Sequence, residues 1–268
     1  MSGSVIHSQS AAMVPAVYSA GQSPQLPVVI DYPAALALRQ MSMVHDELPK
    51  YLLAPEVSAL LHYVPDLRRK MLLATLWNTG ARINEALALT RGDFSLAPPY
   101  PFVQLATLKQ RTEKAARTAG RTPAGQQTHR LVPLSDSWYV NQLQTMVATL
   151  KIPVERRNKR TGRTEKARIW EVTDRTVRTW IGEAVAAAAA DGVTFSVPVT
   201  PHTFRHSYAM HMLYAGIPLK VLQSLMGHKS ISSTEVYTKV FALDVAARHR
   251  VQFSMPESDA VSMLKRIP

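Results

Sequence analysis

The sequence predicts a mainly α-helical fold with a small antiparallel β-sheet, which is an α+β architecture. Three observations lead to this prediction. Apolar residues recur at helical spacing in most segments after residue 50. Two short segments, 101–109 and 128–133, alternate apolar and polar residues as strands do. Gly, Pro and helix-capping residues mark the ends of these elements.

Residues 1–50 carry few signals of regular structure. Ser, Gly, Ala and Pro dominate up to Pro27, so we expect a flexible arm over about residues 1–28. A short helix is predicted from Pro33 to about Asp46, with Pro in its first turn. This segment is either an arm that contacts a partner, a packing element, or a partly disordered leader.

The next part of the chain contains three predicted helices, followed by the two strands. One helix starts near Pro55, and a second spans Arg68–Thr79 and ends at Gly80. A short third helix follows in T-G-A-R-I-N-E-A-L-A-L, with Arg82 in its first turn. Glu85 shares a face with Arg82 because the two residues are three positions apart.

Helices also dominate the second half. The segment Ser135–Leu150 is predicted as a helix with Ser135 as its N-cap. A helix is predicted at Thr173–Ala190 with Thr173 or Asp174 as its cap, and another runs from Pro201 to about Ala215 with Gly216 as its stop. Three more helices are predicted: Pro218–Met226, a segment capped by Ser232 or Ser233 that carries Tyr237, and Phe241–His249. The tail after Pro256 is expected to be mobile.

Two segments are strongly basic. Residues 110–127 connect the two predicted strands and contain four Lys or Arg against one Glu. A loop of this length is usually functional or disordered. Residues 151–168 contain eight Lys or Arg against two Glu, and Thr161-Gly162 within them is a turn signal. This second segment is therefore a hairpin or a loop.

Composition limits the possible functions. The 268 residues are 46% hydrophobic, enough for an ordinary core, and the absence of cysteine excludes disulfides, thiolate zinc sites and cysteine nucleophiles. No apolar run approaches the roughly 20 residues that cross a bilayer, and no signal peptide is evident. The net charge of +12 predicts a polyanionic partner, with nucleic acid ahead of an anionic membrane. A basic protein without such a partner is the alternative.

Residues of Pro201–Tyr237 could act together on a phosphate. His202 and Arg205 are three positions apart on one predicted helix, near the N-terminal end that favours anions. His228 follows a glycine in a turn, and the Tyr237 hydroxyl is a candidate nucleophile. Taken singly, each His or Tyr would more readily be a packing residue, and only their combination favours chemistry.

Arginines must neutralise such a phosphate, because no carboxylate cluster that would hold a metal ion is evident. Arg82 and Arg205 are the candidates, since guanidinium stays charged and binds phosphate through two hydrogen bonds. His206 and His211 are interpreted as packing residues, with His206 pointing away from His202 and Arg205.

The order and spacing of these residues resemble those of the tyrosine recombinases, also called the phage integrase family. The family pattern is T-G-x-R-x-x-E, a lysine in a β-hairpin, H-x-x-R, G-H, and a tyrosine nine residues after that histidine. This sequence has Thr79–Glu85, Lys109 at the end of a predicted strand, His202–Arg205, Gly227-His228 and Tyr237. The resemblance covers about residues 51–250, and it is specific because five separated elements coincide.

The resemblance implies a tyrosine-recombinase-like catalytic domain in which Tyr237 attacks a DNA phosphodiester, forms a 3′-phosphotyrosyl bond and releases a 5′-hydroxyl. The resemblance also implies that Arg82, Arg205 and His228 stabilise the phosphate, and that Glu85 orients Arg82. His202 would accept the tyrosine proton, and Lys109, or alternatively Lys114, would donate a proton to the leaving oxygen. No metal ion or other cofactor is expected. Four protomers would act on two copies of a specific recombination site in double-stranded DNA, and no membrane partner is expected.

The resemblance also sets the expected organisation of the chain. Residues 1–50 would be a flexible arm or a reduced N-terminal DNA-binding segment, residues 51–250 the catalytic domain, and residues 251–268 a C-terminal tail. The expected location is the cytoplasm, on the nucleoid or a plasmid. Backbone phosphates of DNA would be contacted by basic residues of the two charged segments: Arg111, Lys114, Arg117, Arg121, Arg156, Arg157, Lys159 and Arg160.

The biological outcome is less closely defined by the motifs than the chemistry. Resolution of plasmid multimers is the expected outcome, and integration or inversion by the same chemistry is an alternative. A catalytically silent DNA-binding accessory protein and a type IB-like topoisomerase are further alternatives. Retention of all six side chains argues against the silent protein.

Overall fold

The computed structural model describes residues 33, 35–37, 39–40, 49–106, 129–158, 160–249 and 255–265. Over these residues the fold is helix-rich with two small antiparallel sheets, which confirms the predicted class. The helices are α1 Ala54–His62, α2 Leu67–Thr79, α3 Ile83–Leu87, α4 Ser137–Thr149, α5 Asp174–Ala190, α6 Pro201–Tyr214, α7 Leu219–Met226, α8 Ser232–His249 and α9 Glu257–Lys265. The strands are β1 Phe94–Ser95, β2 Phe102–Ala106, β3 His129–Pro133, β4 Glu155–Arg157 and β5 Thr164–Lys166.

Local capping explains several helix ends. Helix α2 ends where Gly80 adopts the left-handed conformation (φ 58°), and its N–H bonds to the Leu76 carbonyl. Helix α5 begins after Thr173, whose hydroxyl accepts from the backbone of the first turn, as predicted. Helix α4 is capped by Asp136 instead of the predicted Ser135, because the Asp136 carboxylate accepts from Tyr139 N.

Strands β1, β2 and β3 form one antiparallel sheet in that order, and both predicted strands are present. Strands β2 and β3 pair from Phe102↔Pro133 to Ala106↔His129. This register pairs the two residues that flank segment 107–128, and the segment itself lies outside the described residues. The basic segment 151–168 contains a hairpin, in which β4 pairs with β5 and Gly162 (φ 67°) lies in the turn.

The C-terminal part differs from the expectation. Helix α8 is continuous, where the sequence predicts one helix carrying Tyr237 and another over Phe241–His249. No Gly or Pro interrupts this segment, so helical hydrogen bonding continues. The Phe241 ring packs against the Tyr214 ring of α6, with centroids 5.9 Å apart. The tail, expected to be mobile after Pro256, contains α9.

The core has two parts, and helix α6 contributes to both. Its Phe204 belongs to the larger cluster, which includes the buried faces of α2, α4, α5 and the three-stranded sheet. Its Tyr208 and Leu213 belong to a second cluster with α7 and α8. At the N-terminal side, Ala35 is buried in the second cluster, and the buried Arg39 binds Glu56 and Ser196. Within the described ranges, no helix combines the length and apolar character needed to cross a bilayer.

Candidate active site

Tyr237 lies in the second turn of α8 and is buried, with 2% of its surface exposed. Its Oη lies 2.9 Å from Nδ1 of His206, and the two rings meet edge to face with centroids 5.5 Å apart. Burial raises the pKa of Tyr237 to about 12, and the positive charges of Arg205 and Arg82 partly oppose this rise. The hydroxyl is therefore protonated at neutral pH and is already held by an imidazole.

The position of His206 contradicts the expectation that it points away and only packs. Residues four apart on a helix share a face, and the rings of His202 and His206 are in contact with centroids 4.2 Å apart. His206 is the inner member of the pair and contacts Tyr237, whereas His202 is exposed. Burial and the neighbouring charges of His202, Arg205 and His228 lower the pKa of His206 to about 3. Burial and the charges of Arg205 and Arg82 also lower the pKa of His202.

Arg205 is buried where the C-terminal ends of two helices meet. Its guanidinium donates to the carbonyl of Gly80, directly after α2, and to the carbonyl of Met226, the last residue of α7, at 2.6 Å. The last carbonyls of a helix lack helical partners and carry partial negative charge, so a cation is favourable there. Burial, followed by the charge of Arg82, lowers the pKa of Arg205 to about 10, which still leaves it charged at neutral pH.

Arg82 is the exposed cation of the site, with 44% of its side chain accessible. It is the residue before α3, and its Nη1 donates to Glu85 Oε1 at 3.0 Å while its backbone N donates to Glu85 Oε2 at 2.9 Å. Glu85 itself is buried. Burial alone would raise the pKa of its carboxyl, but hydrogen bonds and charge from Arg130 and Arg82 hold that pKa below its ordinary value.

His228 projects from a turn that begins at Gly227, whose φ of 63° is a left-handed conformation that favours glycine. Its Nδ1 lies 2.8 Å from the hydroxyl of Thr234, a buried residue in the first turn of α8. Burial lowers the pKa of His228 to about 4, and the charges of Arg205, Arg82 and Arg130 contribute to the same shift. Arg205 and Arg82 thus act on His228 as well as on Tyr237. These two arginines, His228 and Tyr237 share one electrostatic environment.

Arg130, on β3, belongs to this site but is absent from the sequence prediction. Its guanidinium binds Glu85 through two hydrogen bonds and the Leu225 carbonyl through a third. The alternation of β3 contains the signal that could have found it, because Arg130 and Val132 are buried whereas His129, Leu131 and Pro133 are exposed. An arginine at an inward position of a strand needs buried partners.

The remaining predicted residues are in part outside the described ranges. The lysine predicted to protonate the leaving oxygen and the basic residues of the β2–β3 connection lie there: Lys109, Arg111, Lys114, Arg117, Arg121, and also Lys159 of the second segment. In the β4–β5 hairpin, Arg156 is paired with Glu165 at 2.8 Å and Glu171 at 2.6 Å. Arg157 and Arg160 are exposed. Nowhere in the described part of the chain do three or more His, Cys, Asp or Glu residues cluster as metal ligands would.

Comparison with known proteins identifies the family. A model of the phage integrase family matches residues 50–243. The chain is 94% identical over 267 residues to a protein named Resolvase from Escherichia coli (strain K12), and the match covers 100% of each chain. The chain belongs to the phage integrase family. It is also 48% identical over 239 residues to a probable site-specific recombinase in the afa region of Escherichia coli, covering 89% of this chain and 90% of that protein.

The fold agrees with this family. The structure of the XerH site-specific recombinase bound to palindromic difH substrate, a post-cleavage complex, matches with a TM-score of 0.54 at 18% identity. The match covers 76% of this chain and 53% of XerH, so the chain spans about half the length of that protein. The resemblance inferred from the motifs is therefore confirmed at the level of family and fold.

Proposed function

We propose that this site-specific tyrosine recombinase resolves plasmid multimers by cutting and rejoining DNA through a 3′-phosphotyrosyl intermediate. The observation that carries the proposal is the hydrogen-bonding contact of Tyr237 Oη with His206, in an environment that it shares with Arg82, Arg205 and His228. Plasmid resolution is favoured by the near-identity with the Escherichia coli protein named Resolvase.

The proposed reaction exchanges one phosphodiester for another. Tyr237 Oη forms a bond to phosphorus, and the bond from phosphorus to the 5′-oxygen breaks. Arg82 and Arg205 neutralise the non-bridging oxygens, and His228 donates a hydrogen bond to them. We assign the proton that the leaving 5′-oxygen needs to Lys109, with Lys114 as the alternative. The energy of the broken bond is kept in the phosphotyrosyl bond, so the freed 5′-hydroxyl of a partner strand can reverse the reaction.

The proton of the Tyr237 hydroxyl leaves through two imidazoles, first that of His206 and then that of His202. His206 Nδ1 is in reach of Oη, and the exposed His202 contacts His206. Burial is the first cause of the low His206 pKa, and positive neighbours are the second. A DNA phosphate bound by Arg82 and Arg205 offsets those positive charges, and thereby raises the His206 pKa when a base is needed. His202 remains our candidate for final proton acceptance, with His206 between it and the nucleophile.

We propose that DNA binding draws on the basic residues of the β4–β5 hairpin. Arg157 and Arg160 of the β4–β5 hairpin are exposed, which leaves them accessible to backbone phosphates, and Arg156 is paired with Glu171. We propose that the β2–β3 connection contributes further phosphate contacts, and that residues 1–50 form a reduced DNA-binding segment. Four protomers on two DNA sites would supply the partner strands for exchange. Each phosphate contact adds affinity that falls with salt.

The test is covalent trapping on DNA. Nicked suicide duplexes tiled across the DNA that flanks the reading frame are incubated with the protein, and protein–DNA adducts are separated on denaturing gels. We expect one duplex to give an adduct with the unaltered protein and none with Tyr237→Phe. Tyr208→Phe is the matched control, because Tyr208 is a buried tyrosine of the same cluster whose pKa is also raised to about 12. Binding without an adduct for the unaltered protein would indicate a silent accessory protein instead.

A second assay separates the possible outcomes of the same chemistry. A supercoiled plasmid dimer carrying two copies of the trapped site is incubated with the protein, and products are separated by size and topology. Conversion of dimers to monomers supports resolution. Inverted or integrated products would replace that assignment, and relaxation without recombinants would indicate a topoisomerase.

A further inference from the structure

Arg130 makes three hydrogen bonds from a buried position at the edge of the site. Nη1 donates to Glu85 Oε1 at 3.2 Å, and Nη2 donates to Glu85 Oε2 at 2.6 Å. Nε donates to the Leu225 carbonyl at 2.8 Å. These contacts join β3 to α3 on one side and to the last turn of α7 on the other.

The first consequence concerns the charge that Arg82 can offer to DNA. Glu85 accepts from Arg82 and Arg130 on both oxygens, so one carboxylate is shared between two guanidinium groups. With Arg130 present, this group of three carries one net positive charge. Without Arg130, Glu85 would pair with Arg82 alone, and the pair would carry none. A neutral pair attracts a phosphate much less strongly than an uncompensated arginine.

The second consequence concerns the turn that carries His228. A Cβ at Gly227 would lie 3.0 Å from Arg130 Nη1 and 3.1 Å from its Cδ, so the turn packs directly on this side chain. Arg130 binds the Leu225 carbonyl, and Arg205 binds the next carbonyl, that of Met226. The position of the Gly227-His228 turn is therefore defined by two buried guanidinium groups, and Arg130 is the one that also holds Glu85.

We propose that Arg130 is a positioning residue for DNA cleavage: it neutralises Glu85, so that Arg82 meets the phosphate with its full charge, and it holds the turn that carries His228. Arg130 touches neither the nucleophile nor, in this assignment, the phosphate. The inference rests on the proposed phosphotyrosyl chemistry, because that chemistry supplies the phosphate that Arg82 and His228 contact.

The test uses the suicide duplex that gives an adduct with the unaltered protein, at saturating DNA, with the rate of adduct formation as the readout. We expect Arg130→Met to slow cleavage by about tenfold or more, the factor that a modest loss of transition-state stabilisation produces. Arg130→Lys keeps the charge but loses the paired geometry, and its rate should lie between Arg130→Met and the unaltered protein. Arg68→Met is the control, since the Arg68 guanidinium also donates to a backbone carbonyl, that of Ile169, but lies at the end of α2 opposite Gly80 and the site.

A second substitution distinguishes the loss of charge neutralisation at Glu85 from a general loss of folding stability. Adding Glu85→Gln to Arg130→Met removes the unbalanced carboxylate, restores one net positive charge at Arg82, and should recover several-fold of the lost rate. A double variant no faster than Arg130→Met would overturn the inference, and so would an Arg130→Met variant that cleaves as fast as the unaltered protein. If the unaltered protein forms no adduct, the proposed function fails first and the inference with it, so the two failures are distinguishable.

Discussion

Deleting the hydrogen bond between His206 and Tyr237 should destabilise the protein by an amount that a double-mutant cycle isolates. Both groups are largely buried, and Oη and Nδ1 are 2.9 Å apart. Tyr237→Phe leaves His206 Nδ1 without its partner, and His206→Leu leaves the Tyr237 hydroxyl without one. Each single substitution should therefore cost about 1–3 kcal/mol in the free energy of unfolding, the range for a buried polar group that loses its partner.

The double variant has no polar group left unpaired by either change. Its destabilisation should be smaller than the sum of the two single ones, and the difference is expected to be about 1–2 kcal/mol. The assay is urea denaturation of the four proteins at pH 8, followed by far-UV circular dichroism. Tyr208→Phe combined with His206→Leu serves as the control pair, because Tyr208 is a buried tyrosine of the same cluster and its hydroxyl has no described bond to His206.

The pH dependence of the same cycle provides a second check. The folded pKa of His206 is about 3, below its ordinary value of 6.5, so folding favours the neutral imidazole. The stability that depends on neutral His206 is complete above pH 6.5 and is lost as the pH falls towards 3. At pH 5 the loss from this residue should be on the order of 1–2 kcal/mol, and His206→Leu should lack it. Additivity of the single substitutions within about 0.5 kcal/mol at pH 8 would refute the reasoning.

Three further predictions concern other parts of the site. Gly80→Ala should lower the melting temperature more than Gly192→Ala does. Both glycines have positive φ, but a Cβ at Gly80 would lie 2.9 Å from Cε1 of Tyr208, whereas a Cβ at Gly192 would meet open space. Overpacking against Tyr208 should therefore add about 1–3 kcal/mol of destabilisation to Gly80→Ala. His228→Gln should reduce the loss of stability on acidification between pH 6.5 and 4, because burial and nearby arginines lower the folded pKa of His228 to about 4; equal acid sensitivity in thermal melts would contradict this. Arg157→Gln should reduce the salt slope of DNA binding by about 1, and Arg156→Gln should reduce it by less because Arg156 is already ion-paired. DNA-binding titrations at several salt concentrations measure both slopes.

The family and the chemical class could be predicted from the sequence, because short-range spacing carries them. His202 and Arg205 share a helix face, and Gly80 and Gly227 end helices in left-handed conformations, for local reasons that the order of residues reveals. Strands β2 and β3 were also predictable, since their alternation depends only on the pleat. Strand β1 has only two residues, too few for an alternating pattern, and it was not predicted.

Contacts between distant segments were decided by the tertiary structure alone. The prediction that His206 points away from His202 was wrong, because the two residues are four positions apart and share a face of α6. Even with that face known, only the packing of α8 against α6 determines which of the two meets Tyr237. The partners of Arg130 are likewise 45 and 95 residues away, on α3 and α7. Helical and strand periodicity indicates which side chains point inward, whereas partners and pKa shifts depend on which elements pack together.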